Sequence, residues 1–167
     1  MLSPTTLEER LFKIQKRIKK TATRSGRKPK NITIVAATKA FPIETWKHAL
    51  NANLTTFGES RIQEAQKKVE MFNKRDKIEL HLIGHLQTNK VRKAIKYFDV
   101  IQTVDSIRLA DKINRICQET NKKQKIFLQV NTGEDTKKHG ISVKKTTDVA
   151  HKISKMENLN LLGVMTI

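Results

Sequence analysis

The sequence predicts an α/β fold in which helices cover a parallel sheet. Short runs rich in Val, Ile and other apolar residues alternate with longer segments whose apolar residues recur at helical spacing. The predicted strands are apolar on both faces, as strands in a helix-covered parallel sheet are. No Pro- or Gly-rich linker interrupts the alternation, so residues 1–167 are predicted to form a single domain.

The first predicted elements are a helix, a strand and a second helix. Residues 5–20 are predicted as a helix because one face is apolar. The apolar stripe on that face consists of Leu7, Leu11, Ile14 and Ile18. The run 32–38 is β-branched and almost wholly apolar, which predicts the first strand. Pro42 suits the first turn of a helix over 42–53.

The rest of the chain repeats this strand–helix order. Further strands are predicted at 55–60, 78–84, 99–106, 125–131 and 159–167, and further helices at 61–75, 88–98, 107–121 and 143–157. A polar loop over 132–142 follows the fifth strand. The pattern of six predicted strands fits an open doubly wound sheet and a closed barrel equally well.

Lys39 stands at the carboxyl end of the first predicted strand, and this is where ligands bind in both architectures. A lysine among apolar neighbours loses hydration, which favours the neutral amine, and a neutral amine can attack a carbonyl. A lysine that points to solvent or pairs with a carboxylate is the alternative. Neither GxGxxG nor GxxxxGK[ST] is present, which weakens a nucleotide-binding interpretation.

The formal net charge of +18 suggests contact with polyanions. The basic residues are spread over every predicted helix, however, so we expect only weak, salt-sensitive binding of nucleic acid and no specific recognition. The single cysteine, Cys117, excludes an internal disulfide, and no apolar run is long enough to cross a bilayer. We therefore expect a cytoplasmic protein without a membrane partner.

Other polar residues stand at predicted strand ends, where catalytic groups and metal ligands are found in both architectures. His81 and His85 fall on one side of the third strand, but no Cys or nearby carboxylate completes a ligand set, so no metal site is predicted. Asp105 and Ser106 offer an acid and a nucleophile, although Ser106 is better placed to cap the next helix. No catalytic residue is predicted.

Seven segments occur in a characteristic order and spacing: VAATKAF, FGESRIQEA, LHLIGHLQTNK, IQTVDS, FLQVN, KKHGI and LLGVMTI. Together they resemble the pyridoxal phosphate homeostasis proteins, which share the alanine racemase N-terminal barrel. The resemblance covers nearly the whole chain from the first strand onward. It implies a (β/α)8 TIM-barrel type of fold, of which about six strand–helix units are present.

The resemblance also implies a cofactor, pyridoxal phosphate, held as a Schiff base on Lys39. It places Ser60, His81 and Met165 near that cofactor. The family usually has Asn after FGE, where this sequence has Ser60. A serine hydroxyl still donates a hydrogen bond, but it is shorter than an amide.

The function implied by the resemblance is pyridoxal phosphate binding in intracellular vitamin B6 homeostasis, without a reaction of the protein's own. Reversible capture hides a reactive aldehyde and allows its release to pyridoxal phosphate-dependent enzymes. The alternative is a pyridoxal phosphate-dependent amino-acid racemase. Racemases of this barrel type use a tyrosine base from a further C-terminal domain, whereas Tyr97, the one tyrosine here, falls within a predicted helix.

A complete barrel of this class has eight strand–helix units. With six predicted strands, we expect a C-terminally truncated barrel whose first and last strands are open edges with exposed apolar faces. In the resembling family, the phosphate is held by the region beyond the sixth strand. A complete barrel is expected to be a monomer, and the chain as given is expected to associate and to hold the cofactor loosely.

Overall fold

The computed structural model describes residues 4–167, in which a seven-stranded parallel sheet alternates with helices. The helices are α1 (Pro4–Arg24), α2 (Glu44–Asn51), α3 (Ile62–Met71), α4 (Val91–Tyr97), α5 (Ile107–Glu119) and α6 (Thr146–Ser154). The strands are β1 (Ala36–Ala37), β2 (Thr56–Glu59), β3 (Glu79–Leu82), β4 (Val100–Val104), β5 (Gln124–Asn131), β6 (Ile141–Ser142) and β7 (Leu159–Met165). Within the described residues, no helix combines the length and apolar character needed to span a bilayer.

The strand order identifies the architecture. Strands β1 to β5 lie side by side in chain order, and β7 pairs with β5, with every pair parallel. A doubly wound sheet reverses its strand order at a switch point, whereas a (β/α) barrel places each strand next to the preceding one. The sheet is therefore of the barrel type, one of the two architectures that the strand pattern allowed.

Three elements differ from their predicted bounds. The first strand shrinks from 32–38 to Ala36–Ala37, because within residues 4–167 it has a strand partner only on the β2 side. The predicted loop over 132–142 contains β6, which pairs with the end of β5 through Val130 and Ile141, so the sheet has seven strands rather than six. Helix α1 continues to Arg24 instead of ending at residue 20.

The sheet has one face toward the helices and one face away from them, called here the inner face. Phe57 and Leu80 are register partners on neighbouring strands, and both are fully buried in the core. Gly58 and His81, the next register partners, lie on the inner face because side chains alternate along a strand. Polar side chains near strand ends on the inner face can therefore share one site.

Aromatic packing on the helix side fixes α2 and α3 against β2. The Trp46 ring of α2 stacks on Phe57 with 5.4 Å between ring centroids, and it meets the edge of Phe72 at 5.5 Å. All three side chains are buried. Such pairs contribute about 0.5–1.5 kcal/mol beyond the area that they bury, so this cluster holds the first two strand–helix units in place.

The last strand exposes apolar side chains. Leu162 and Val164 of β7 are largely solvent-exposed, and so is Ile167 beyond it. The expected exposed apolar face is thus confirmed at β7. Association through this surface remains a prediction.

Gly84 follows β3 and lies against Ser60, the residue that follows β2, and we predict that Gly84→Ala is destabilising. A Cβ at residue 84 would lie 2.1 Å from the backbone oxygen of Ser60, and backbone cannot swing aside as a side chain can. Overpacking of this kind typically costs about 1–3 kcal/mol. Gly133→Ala is the matched control, since a Cβ there meets nothing within 4 Å. Denaturant unfolding that gave both variants the same stability would contradict this reason for Gly84.

Candidate functional site

Lys39 lies in the turn directly after β1, at the carboxyl edge of the sheet. The Thr38 amide still donates to the Gly58 carbonyl at 2.9 Å, so the parallel ladder continues to the residue before Lys39. Thr38 faces the helix side, and strand alternation assigns Lys39 to the inner face. Ala40, with φ of 66°, then turns the chain away from the strand.

Of the two interpretations that the sequence leaves open for Lys39, a desolvated amine or an amine that points to solvent, the structure supports the second. Its side chain is exposed. The physical reason is the position of β1, which has no strand on its other side within residues 4–167. The Lys39 amine is therefore accessible from solvent. The fold fixes the backbone of this residue and leaves its side chain free of the core.

A buried polar network holds the backbone immediately before Lys39. Thr38 Oγ1 donates to Glu59 Oε1 at 2.7 Å and accepts from Trp46 Nε1 at 2.9 Å. Lys68 Nζ of α3 donates to the same Glu59 oxygen at 2.6 Å and to the Thr38 carbonyl at 2.9 Å. One lysine thus ties α3 to the ends of both β1 and β2.

The electrostatics of this network are those of a buried ion pair. Glu59 has 0% exposure and the Lys68 side chain 11%, so their attraction is little screened by water. Among the described residues, Glu59 Oε2 has no hydrogen-bond partner. Loss of Lys68 would leave the carboxylate buried without its countercharge, which is far more costly than loss of a surface pair.

Ser60 and Met165 both lie at strand ends on the inner face. Ser60 directly follows β2, is half-buried, and alternates with Glu59, which faces the helices. Met165 is the last residue of β7, is half-buried, and is the register partner of Gln129 on β5. The two residues therefore share the face and the sheet edge of Lys39, on strands distant from one another in the sheet order.

His81 is buried on the inner face and is already hydrogen-bonded. Its Nδ1 lies 2.7 Å from Gln102 Nε2, and its Nε2 lies 3.1 Å from Glu79 Oε2. Because an amide nitrogen only donates, Nδ1 accepts and Nε2 carries the proton that it donates to Glu79. One ring nitrogen is thus used by Gln102 of the neighbouring strand β4 and the other by Glu79 of the same strand β3, which gives His81 a structural role within the sheet.

Glu79 connects this histidine to Lys125 of β5, whose Nζ donates to Glu79 Oε1 at 2.8 Å. Burial by itself would raise the pKa of Glu79, but the hydrogen bonds from Lys125 and His81 outweigh it, so the pKa is lowered. The same hydrogen bond raises the pKa of Lys125. Both groups are charged near neutral pH, and they link β3 to β5 across the inner face.

The ends of β3 and β4 and the loop after β5 bring His85, Asp105 and His139 together. Asp105 Oδ2 lies 3.3 Å from His85 Nδ1 and 3.7 Å from His139 Nδ1. The imidazole rings stack with 3.8 Å between centroids. Ser106 caps α5, as predicted, by accepting from the Leu109 amide at 3.3 Å. His85 therefore acquires a carboxylate neighbour that its sequence surroundings did not reveal.

Sequence reasoning missed Lys68 and the pairing of Thr38 with Trp46. A signal for Lys68 was present, because it follows Ala65 by one helical turn on the face that α3 turns toward the sheet. A lysine at such a position needs a buried acceptor. Its acceptor, Glu59, stood among apolar residues of a short strand, and only the fold shows that the two meet.

The chain matches the family model of the alanine racemase N-terminal domain over residues 10–167. Distant solved structures agree with this class: alanine racemase of Clostridium difficile 630 superposes with a TM-score of 0.70 at 18% identity, covering 81% of this chain and 35% of that one. At this identity the likeness shows the fold alone. The protein class defined by the strand order and the family model is therefore that of the alanine racemase N-terminal barrel.

Relatives of higher identity show to which family within this class the chain belongs. The pyridoxal phosphate homeostasis protein of Vibrio alginolyticus is 31% identical over 166 residues, covering 98% of this chain and 71% of that protein. The one from Aquifex aeolicus is 33% identical over 159 residues, covering 95% and 69%. The structure of PipY from Synechococcus elongatus PCC7942 with pyridoxal phosphate bound gives a TM-score of 0.78 at 31% identity, covering 90% and 69%. The chain belongs to the family of pyridoxal phosphate homeostasis proteins.

Proposed function

We propose that this protein binds pyridoxal phosphate covalently through Lys39 and serves vitamin B6 homeostasis in the cytoplasm. The observation that carries the proposal is the placement of Lys39: an accessible amine at the carboxyl edge of the inner face, with its backbone held by the Thr38–Glu59–Lys68 network. Ligands of barrel proteins bind at this edge. The names of the relatives and the cofactor in PipY point to the same cofactor.

The residues present fit this cofactor in their chemistry. When bound, pyridoxal phosphate supplies an aldehyde that a lysine amine captures reversibly. Lys39 provides the amine, and Thr38 and Lys68 keep its backbone in place without covering it. Ser60, His81 and Met165 are proposed as further cofactor contacts, supported by their common position on the inner face. For His81 the support is smaller, since Gln102 and Glu79 already use both ring nitrogens.

A binding role is supported over racemisation by the position of Tyr97. This residue is the one tyrosine of the sequence. It is buried in α4, where its hydroxyl donates to Glu70 Oε1 at 3.4 Å, so it is committed to helix packing. A racemase needs a second acid–base group on the face of the substrate opposite the lysine, and Tyr97 does not supply one. We propose that the protein has no turnover of its own.

The proposed domain is a single one, spanning residues 1–167. Support comes from the core, where buried side chains from α2 through β7 form one continuous cluster. Cys117 lies in this cluster, and burial raises the pKa of its thiol, so the group is unreactive. A lone, protected thiol suits a reducing compartment.

Transfer of the cofactor is the experiment that separates the two candidate functions. The chain is loaded with pyridoxal phosphate, freed of excess by gel filtration, and mixed with a cofactor-free pyridoxal phosphate-dependent enzyme. We expect the enzyme to regain activity, and L- and D-alanine incubated with the loaded chain to keep their configuration. Racemisation of alanine at a rate that depends on Lys39 would favour the enzyme; failure to load would reject both.

Binding of nucleic acid is predicted to be weak and independent of sequence. The net charge of +18 is dispersed, and dispersed lysines give counterion release without base contacts. Electrophoretic titration with two unrelated duplexes of equal length should give equal affinities at low salt and no complex at physiological salt. Tight binding of one duplex alone at physiological salt would overturn this prediction.

A further inference from the structure

We propose that His85, Asp105 and His139 form a binding site for a divalent transition-metal ion of the zinc type. The inference goes beyond cofactor binding and does not depend on Lys39. The three residues offer two imidazole nitrogens and one carboxylate oxygen, all within 4.8 Å of one another. They come from the carboxyl ends of β3 and β4 and from the loop after β5, so residues far apart in sequence meet at one point.

The two donor separations that involve Asp105 match what a small ion requires. Zinc is bound by His nitrogen and carboxylate oxygen at about 2.0–2.2 Å, so two ligands of a tetrahedral ion lie about 3.4 Å apart. The observed distances from Asp105 Oδ2 to His85 Nδ1 and His139 Nδ1, 3.3 and 3.7 Å, lie on either side of this value. The two rings now stack face to face, and an imidazole nitrogen binds metal in the plane of its ring, so both rings would rotate out of the stack on binding the ion.

The surrounding structure positions these donors. Gln129 Nε2 donates to the His139 carbonyl at 3.0 Å, which holds the loop against β5. Gly140 follows with φ of 134°, and a Cβ there would lie 2.7 Å from the Asn131 amide nitrogen, so the loop returns close to the strand. On the other side, Thr103 Oγ1 donates to the Gly84 carbonyl at 2.8 Å, next to His85. These contacts hold the backbone in place beside both His85 and His139.

The donor set selects the class of metal. Imidazole suits zinc, copper, nickel and cobalt, whereas magnesium and calcium prefer oxygen ligands throughout. Asp105 is 14% exposed, but His85 and His139 are 42% and 59% exposed, so the ion would remain open to solvent on the histidine side. Three protein ligands leave a fourth position for water or an anion. The site borders a cleft of about 260 Å³ lined in part by Asn131, and a metal there would sit at the mouth of the barrel.

Two neighbouring lysines set the expected affinity. Lys137 and Lys138 line the same cleft and repel a cation. We therefore expect binding in the micromolar range and not the tight binding of a closed structural zinc site. The same lysines would favour an anion on the open position of the bound ion.

The test uses the full chain, free of affinity tag and of cofactor, titrated with Zn²⁺ by calorimetry and with Co²⁺ by absorbance. We expect one equivalent of either ion, a cobalt band in the visible range, and no binding of Mg²⁺. His139→Gln and Asp105→Asn should each weaken binding at least tenfold. His151→Gln removes an exposed histidine of α6 and is the matched control, with no change expected.

Two further measurements distinguish loss of the metal site from loss of the fold. His139 lies on an exposed loop, so His139→Gln is expected to retain the fold, verified by its thermal midpoint without metal. Zinc should also protect residues 132–140 from limited proteolysis in the unmodified chain but not in this variant. Zinc affinity unchanged by His139→Gln, an equal loss with His151→Gln, or no binding at all would overturn the proposal.

Discussion

Lys39→Ala is expected to abolish covalent retention of pyridoxal phosphate while leaving the fold intact. The amine is the group that captures the aldehyde, and no other lysine is proposed to replace it. The side chain is exposed at the carboxyl edge and adds little packing, so the thermal midpoint should not change. The measurement is the visible absorbance that stays with the protein after gel filtration, taken together with a thermal melt.

Lys138→Ala is the matched control for this experiment. Lys138 is also exposed at the carboxyl end of the sheet, beside the cleft that Asn131 lines. This variant should retain the cofactor absorbance of the unmodified chain. Retained absorbance in Lys39→Ala, with loss in Lys138→Ala, would move the covalent site to the loop after β5.

Glu59→Gln is expected to cause the largest loss of stability among single substitutions at the site. Glutamine fills the same space but removes the countercharge of Lys68, whose Nζ lies 2.6 Å from Glu59 Oε1. Breaking a buried ion pair in this way costs about 3–5 kcal/mol. Glu64→Gln makes the same chemical change in the exposed Arg61–Glu64 pair, where about 1 kcal/mol or less is expected. Denaturant unfolding measures both.

The network also links stability to cofactor binding. Because Lys68 holds the Thr38 carbonyl, Lys68→Met should weaken cofactor retention even though Lys68 is not proposed to touch the cofactor. Replacing both partners, with Glu59→Met and Lys68→Met together, should recover much of the stability, since no unpaired charge is left. If the double variant regains stability but not cofactor retention, the polar network is needed to position Lys39.

A loss of stability in Glu59→Gln no larger than that in Glu64→Gln would contradict the stabilising role of the Glu59–Lys68 pair.

Much of the fold could be predicted from the sequence because it follows from local patterns. The apolar runs at 78–84 and 99–106 contain β3 and β4, and the capping role of Ser106 follows from its residue type and place in the chain. The length of β1 could not be predicted. Its apolar run over 32–38 suits a central strand, and only the sheet order shows that it is an edge with one neighbour.

The candidate site was predictable only where a motif or a strand end marked it. Lys39 follows a strand and could be proposed from that position. The contact of Lys68 with Glu59 depends on how α3 lies against β2, and the approach of His139 to Asp105 depends on a loop that returns to β5. These contacts join residues 9 and 34 positions apart, and no local pattern encodes them. The sequence left the exposure of Lys39 open for the same reason, because burial depends on the neighbours of β1.

The measurement that tests the central claim most directly is the location of the cofactor on the chain. The chain is loaded with pyridoxal phosphate at limiting concentration, reduced with borohydride, digested, and mapped by mass spectrometry for the pyridoxyl group. We predict one major modified peptide, with the group on Lys39, and no major modified peptide in Lys39→Ala. A pyridoxyl group distributed over many surface lysines, or concentrated on Lys137 or Lys138, would contradict the assignment of Lys39 as the cofactor-binding residue.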